Sequence, residues 1–175
     1  MRLKLLGFLP LVAALTACQS YSKIETPPVA ATFTSETAKA NAAKSQKIAI
    51  RAARVTKTAN GKTTEELAGV RCNLNSTGFK ASVVTPAFVT VPTYLGKTDP
   101  YTVTCKTGKE TAQKTVTAIN STLQRSRSTY SSGGLVGALA AAAVTAAIRA
   151  ARDPSKDQFE YPNQTIVAFD GAAAK

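Results

Sequence analysis

"ELAGVRCNLNSTGFKASVVTPAFVTVPTYLGKTDPYTVTCKT", residues 66–107, is the best-patterned stretch of this 175-residue chain. Val70, Cys72 and Leu74 alternate with Arg71, Asn73 and Asn75, and Phe79, Ala81 and Val83 alternate with Lys80 and Ser82. Val89 and Val91 follow, and Tyr101, Val103 and Cys105 then alternate with Thr102 and Thr104. A period of two places one set of side chains on a buried face and the other in water. Turn formers separate the runs: Asn75-Ser76-Thr77-Gly78, Thr85-Pro86, and Gly96 to Pro100. Short strands with such breaks predict a small antiparallel β-sandwich. Cys72 and Cys105 both fall on the apolar phase of their strands, placed for a disulfide across the core.

Upstream, Ile48, Ile50 and Val55 sit among Lys47, Arg51, Arg54 and Lys57, which predicts a strand over 47–58 followed by an Asn60-Gly61 turn. Downstream of Pro154, "FEYPNQTIVAF" predicts a last strand near 164–169 that returns to the sheet. Residues 35–46, "SETAKANAAKSQ", predict a short helix with Thr34 or Ser35 as its cap. It carries no large apolar residue, so it is marginal alone. Residues 19–34, "QSYSKIETPPVAATFT", read as a spacer stiffened by Pro27-Pro28 that holds a domain away from a membrane.

The segment "GGLVGALAAAAVTAAI", residues 133–148, spaces Gly133, Gly137, Ala141 and Thr145 by four. Small residues on one helix face let helices or backbones approach closely, as in a glycine zipper. A helix of this length spans about 24 Å, short of the roughly 30 Å hydrocarbon core. Packing on the β-domain, self-association between copies and membrane insertion are the three readings of this interface face. The expected fold class is therefore mainly β (α+β): a small antiparallel β-sandwich-like domain with one disulfide plus a small-residue helix.

The N-terminus carries the most specific signal. Arg2 and Lys4 precede the apolar run "LLGFLPLVAAL", residues 5–15, and then Thr16, Ala17 and Cys18. The run has the length of a secretory signal core and is well short of the roughly 20 residues that span a bilayer. "LTAC", residues 15–18, resembles the lipobox of bacterial lipoproteins. That resemblance implies that residues 1–17 are a removed signal peptide and that the Cys18 thiol carries diacylglycerol. It also implies an acylated Cys18 amino group, so that several acyl chains give stable anchoring. In Gram-negative lipoproteins an Asp after the lipidated cysteine favours retention in the inner membrane. Gln19 and Ser20 stand here instead, which implies an outer-membrane, periplasm-facing destination. The expected organisation is a signal peptide over 1–17, a lipidated tether over 18–46, a β-domain over 47–130, and a zipper-like helix with a final strand over 131–175.

Export also shapes the reading of the two remaining cysteines. A pair in an oxidising compartment predicts a disulfide rather than a metal site. Cys72 and Cys105 stand 33 positions apart, and closing a loop of that length stabilises by roughly 3–4 kcal/mol in the chain-entropy model.

The chain holds 22 Lys/Arg against 10 Asp/Glu and has no histidine or tryptophan. The charge is uneven: basic residues at 39, 44, 47, 51, 54, 57 and 62 meet no acid between them, whereas 153–170 is acidic. A basic surface in the cell envelope attracts anionic lipid or the phosphates of lipopolysaccharide; nucleic acid is not an expected partner there. Spaced lysines that simply keep an alanine- and threonine-rich surface soluble are the alternative. Missing histidine removes the commonest general base and the commonest zinc ligand. There is no Gly-x-Ser-x-Gly and no phosphate-cradling loop, and Glu65-Glu66 read as solvated charges on opposite faces of a strand. Tyr94, Tyr101, Tyr130 and Tyr161 read as caps of the core or as the lining of a groove. The expectation is a non-enzymatic protein without a cofactor, whose partner is an envelope protein or glycan. "GVRC…GF…VVTPAFVTVP…PYTVTCKTG" resembles uncharacterised proteobacterial lipoproteins and, more loosely, PEGA-type β-domains. That resemblance implies a binding or structural module.

Overall fold

The computed structural model describes residues 21–58, 61–108, 110–128 and 152–171. Cys18, the turn residue Asn60, Tyr130, and the 133–148 segment with Gly133, Gly137 and Ala141 lie outside the described residues.

The fold is mainly β, with two five-stranded sheets packed face to face. The first sheet is built on β3 (Ala42–Thr58), whose two flanks are both used. On one flank β7 (Ala87–Tyr94) pairs antiparallel with residues 42–50 and β4 (Gly61–Leu67) pairs antiparallel with residues 52–58. On the other flank β12 (Gln164–Asp170) runs parallel to residues 49–55. The short β1 (Val29–Ala30) extends the sheet beside β7, also in parallel. The second sheet is antiparallel throughout, in the order β2 (Thr32–Phe33), β6 (Phe79–Val84), β5 (Arg71–Ser76), β8 (Tyr101–Thr107), β9 (Glu110–Val116). β1 and β2 are one stretch of chain that crosses between sheets at Ala31. The β6–β7 connection, through a cis Thr85-Pro86 bond, makes a second crossing.

The alternation in residues 66–107 lands as expected. Cys72, Leu74, Phe79, Val83, Val89, Val91, Tyr101, Val103 and Cys105 all enter one buried cluster. Ile48, Ile50, Val167 and Phe169 complete it from the first sheet. Each such side chain taken fully from water contributes roughly 1.5–3 kcal/mol. Three aromatic rings fill its centre: Tyr101 and Tyr161 meet edge to face at 4.7 Å between centroids, with Phe79 6.1 Å from Tyr101.

Three expectations are corrected. The expected antiparallel sandwich has a mixed first sheet, because β12 and β1 add to it in parallel. The disulfide forms, but it does not cross from sheet to sheet. Cys72 and Cys105 are register partners on the neighbouring strands β5 and β8, with Cα atoms 4.0 Å apart. They meet because β6 takes the other flank of β5 and β7 leaves for the opposite sheet, so β8 returns directly beside β5. Finally, the segment read as a spacer is built into the domain: residues 29–33 are strand, and β3 starts at Ala42, five residues before the expected Lys47. Between them α1 (Glu36–Ala40) is shorter than the expected helix, and the Ser35 hydroxyl caps it by accepting from the Ala38 amide.

Two polar segments complete the described chain. α2 (Ser121–Ser128) follows β10 (Ile119–Asn120), which pairs with β11 (Phe159–Glu160). Asp157, which is buried, accepts from Asn120 at 2.7 Å and from Arg152 at 3.0 Å, tying the chain before β12 to the start of α2.

Candidate functional site

Two constructions stand out on this scaffold, a pocket at one end of β3 and a polar clamp at its middle. The pocket has a volume of about 690 Å³. Its walls come from α1 and its cap (Ser35, Thr37, Asn41), from the β5–β6 turn (Thr77, Gly78), and from Tyr94, Leu95, Lys97 and Asp99 after β7. Each wall is anchored. Thr34 donates its hydroxyl to the Thr77 carbonyl at 2.6 Å and its amide to the Gly78 carbonyl at 3.2 Å. The buried Thr98 hydroxyl accepts from the Tyr94 amide at 2.9 Å and donates to the Tyr94 carbonyl at 3.1 Å. The Tyr161 hydroxyl reaches out of the core to the Asp99 carbonyl at 2.6 Å.

Tyr94 closes the pocket with its ring lying against Gly78, where a Cβ would run into the phenol. Its hydroxyl is buried and has no hydrogen-bond partner among the described residues. Burial and then the nearby Asp99 charge raise its pKa above the usual tyrosine value. Lys97 and Asp99 pair at 3.3 Å on the rim, so the charges there largely offset each other. The lining thus offers hydroxyls, one carboxamide and one aromatic ring beside the apolar surface of Ala38, Ala42, Ala43 and Leu95.

The clamp is built from the first described residues. Arg51 points outward from β3 yet is only 8 % exposed. Its guanidinium donates to Glu66 and, at 2.9 Å, to the Ser22 carbonyl, and it lies 5.1 Å from the centre of the Tyr21 ring. Glu66 accepts in turn from the Ser22 amide at 2.8 Å and the Ser22 hydroxyl at 2.6 Å. Burial acts to raise the Glu66 pKa, but the two Ser22 hydrogen bonds and Arg51 outweigh it and hold the carboxyl below the ordinary carboxylate range. Glu66 is therefore a paired group, not the solvated charge expected beside a turn. Arg54, with the opposite facing on β3, pairs with Glu110 of β9 at 2.7 Å and links the two sheets at the β12–β9 side.

Of the expected site residues, the structure brings Cys72 and Cys105 together as a buried structural bridge. Of the tyrosines, Tyr101 and Tyr161 belong to the core and Tyr94 to a pocket. The groove reading of the tyrosines holds for Tyr94 among the described residues, whereas sequence reasoning passed over the Arg51–Glu66 clamp. Only one signal pointed to the clamp: in "IAIRAARV", Arg51 shares a strand face with Ala49 and Ala53, small neighbours that leave room for a crossing chain. Among the described residues no group of three His, Cys, Asp or Glu side chains is placed to hold a metal ion. No helix among them is long and apolar enough to cross a membrane. No protein family, curated protein or solved structure matches this chain.

Proposed function

We propose that this chain is a non-enzymatic lipoprotein of the bacterial outer membrane, a binding or structural component of the cell envelope. It is anchored through Cys18 and binds its partner with the β-domain. The observation that carries export is the buried Cys72–Cys105 disulfide, since such bonds persist in oxidising compartments. The lipobox-like "LTAC" behind a short apolar run supplies the anchor.

The Tyr94 pocket supports a binding role. Hydroxyl and carboxamide groups beside an aromatic ring suit a neutral, hydroxyl-rich ligand such as a glycan, and the 690 Å³ volume is within the range of small-ligand sites. Anionic lipid or lipopolysaccharide suits the basic strand surface. The 133–148 spacing of Gly133, Gly137 and Ala141 favours a second reading, a structural lipoprotein that assembles with itself. Under that reading Gly137→Leu shifts the protein to a smaller species in sedimentation, and an unchanged size removes it.

Metabolic labelling with a palmitate analogue tests the anchor. Native protein should take up label and fractionate with outer membrane, and Cys18→Ala should do neither. Label on the Cys18→Ala protein would sink the lipoprotein reading.

A further inference from the structure

We infer that the clamp turns the lipid anchor into an orienting device, pressing the outer face of the first sheet, with Lys57 and Lys62, against an anionic bilayer. The inference rests on the lipoprotein reading above and adds which surface meets the membrane.

Chain length and charge carry it. A spacer of sixteen residues would let the domain tumble freely above the membrane. Instead, Tyr21 and Ser22 are already held by Arg51 and Glu66. Only two residues, Gln19 and Ser20, separate Tyr21 from Cys18, and three chain steps reach at most about 11 Å. The anchor point is thereby confined to the neighbourhood of one face. The chain's course gives a direction as well. Val29 stands level with Val89, which is opposite Ile48, while Ser22 lies at Arg51. Between Val29 and Ser22 the chain thus moves along β3 from the level of Ile48 to that of Arg51, in the direction of Lys57.

The face met there is basic. Paired strand residues share a side, so Lys57 and its register partner Lys62 project on the same face as Arg51. Lys47 projects there too, 4.8 Å over the Phe88 ring. None of these three lysines forms an ion pair with a described residue, and Asp170 lines the same surface depression as Lys57 and Lys62. Lys80 and Lys106, by contrast, lie on the outer face of the second sheet, away from the anchor.

Lysine footprinting on the full lipidated chain tests the inference. The protein is reconstituted in phosphatidylethanolamine–phosphatidylglycerol vesicles and treated with a membrane-impermeant acetylating reagent. Mass spectrometry then compares each lysine with the unlipidated Cys18→Ala chain. Lys57 and Lys62 should lose reactivity severalfold while Lys80 and Lys106 keep theirs. Glu66→Ala, or Ser22→Ala where the first variant folds poorly, should shrink that contrast although the lipid remains. If Cys18 carries no lipid, the lipoprotein reading fails and the inference with it. If Cys18 is lipidated and all four lysines react alike in the native chain, the orientation alone is overturned.

Discussion

Tyr101 and Thr165 join the two sheets through a hydrogen bond between their hydroxyls, 2.8 Å apart and sealed from water. Tyr101 belongs to β8 of the second sheet and Thr165 to β12 of the first, so the bond spans the core near one end of the sandwich. Burial raises the Tyr101 pKa and the Thr165 contact lowers it, with burial winning, so the phenol stays protonated and able to donate. Tyr101→Phe should cost about 1–3 kcal/mol, because the Thr165 hydroxyl is left buried without a partner. Adding Thr165→Val should recover much of that loss. A double-mutant cycle in urea should therefore give a coupling of at least about 0.5 kcal/mol. Additive losses would mean that the hydroxyls do not hold each other.

The disulfide acts within one sheet. Cys72 and Cys105 staple β5 to β8, between which 33 positions of chain leave for the other sheet and return. Constraining that excursion in the unfolded chain is where most of the stabilisation arises in the entropic account. Replacing both cysteines with alanine should lower stability by about 2–5 kcal/mol, measured by thermal or denaturant unfolding. A loss below about 1 kcal/mol would show that the sheet pairing alone fixes these strands.

What was legible in advance follows burial. β5, β6 and β8 carry alternation because each has one wetter and one dry face, and that pattern survives in the residue order, whereas β7, with no exposed residue, shows it only at Val89 and Val91. β12 was readable for the same reason, from Ile166 to Phe169. β4 and β9 were not. "GKTTEEL" and "ETAQKTV" are polar strands whose inward positions bury little, so pairing with β3 and β8, not apolar periodicity, makes them strands. The clamp was hidden because its chemistry joins residues 22, 51 and 66, and no local pattern reports a contact across forty positions. The expected spacer failed on a related point. Small, polar residues with two prolines look unburied, yet Val29 to Phe33 gain their order from hydrogen bonds to β7 and β6.

Acid should loosen the clamp. The Glu66 carboxyl has a pKa below its ordinary value of 4.5 in the folded chain. A depressed carboxylate contributes stability that is fully present above the unfolded value and is lost as pH falls through the folded value. Native protein should therefore lose stability below pH 4.5 more steeply than Glu66→Gln, which has no such proton to take up. Glu110 and Asp153 are depressed too, so the comparison between these two proteins, not the native curve alone, reports on Glu66. Parallel curves from pH 7 to 3 would show that Glu66 is not coupled to folding.

Tyr94 offers the clearest separation of stability from binding. Its hydroxyl is buried against Gly78 with no partner among the described residues. An unsatisfied buried hydroxyl costs about 1–3 kcal/mol, whereas the ring beneath it still packs against the pocket wall. Tyr94→Phe deletes the hydroxyl and keeps the ring, so the unliganded domain should gain about 1 kcal/mol, read as a higher Tm. If a glycan in the pocket supplies the partner that this hydroxyl lacks, the hydroxyl contributes to binding although it costs the free protein stability. The same variant should then bind glycan probes more weakly than the native chain, although it is the more stable protein. A Tyr94→Phe domain that melts lower than native would mean that the hydroxyl already has a partner, and the case for this pocket as a binding site would lose its main support.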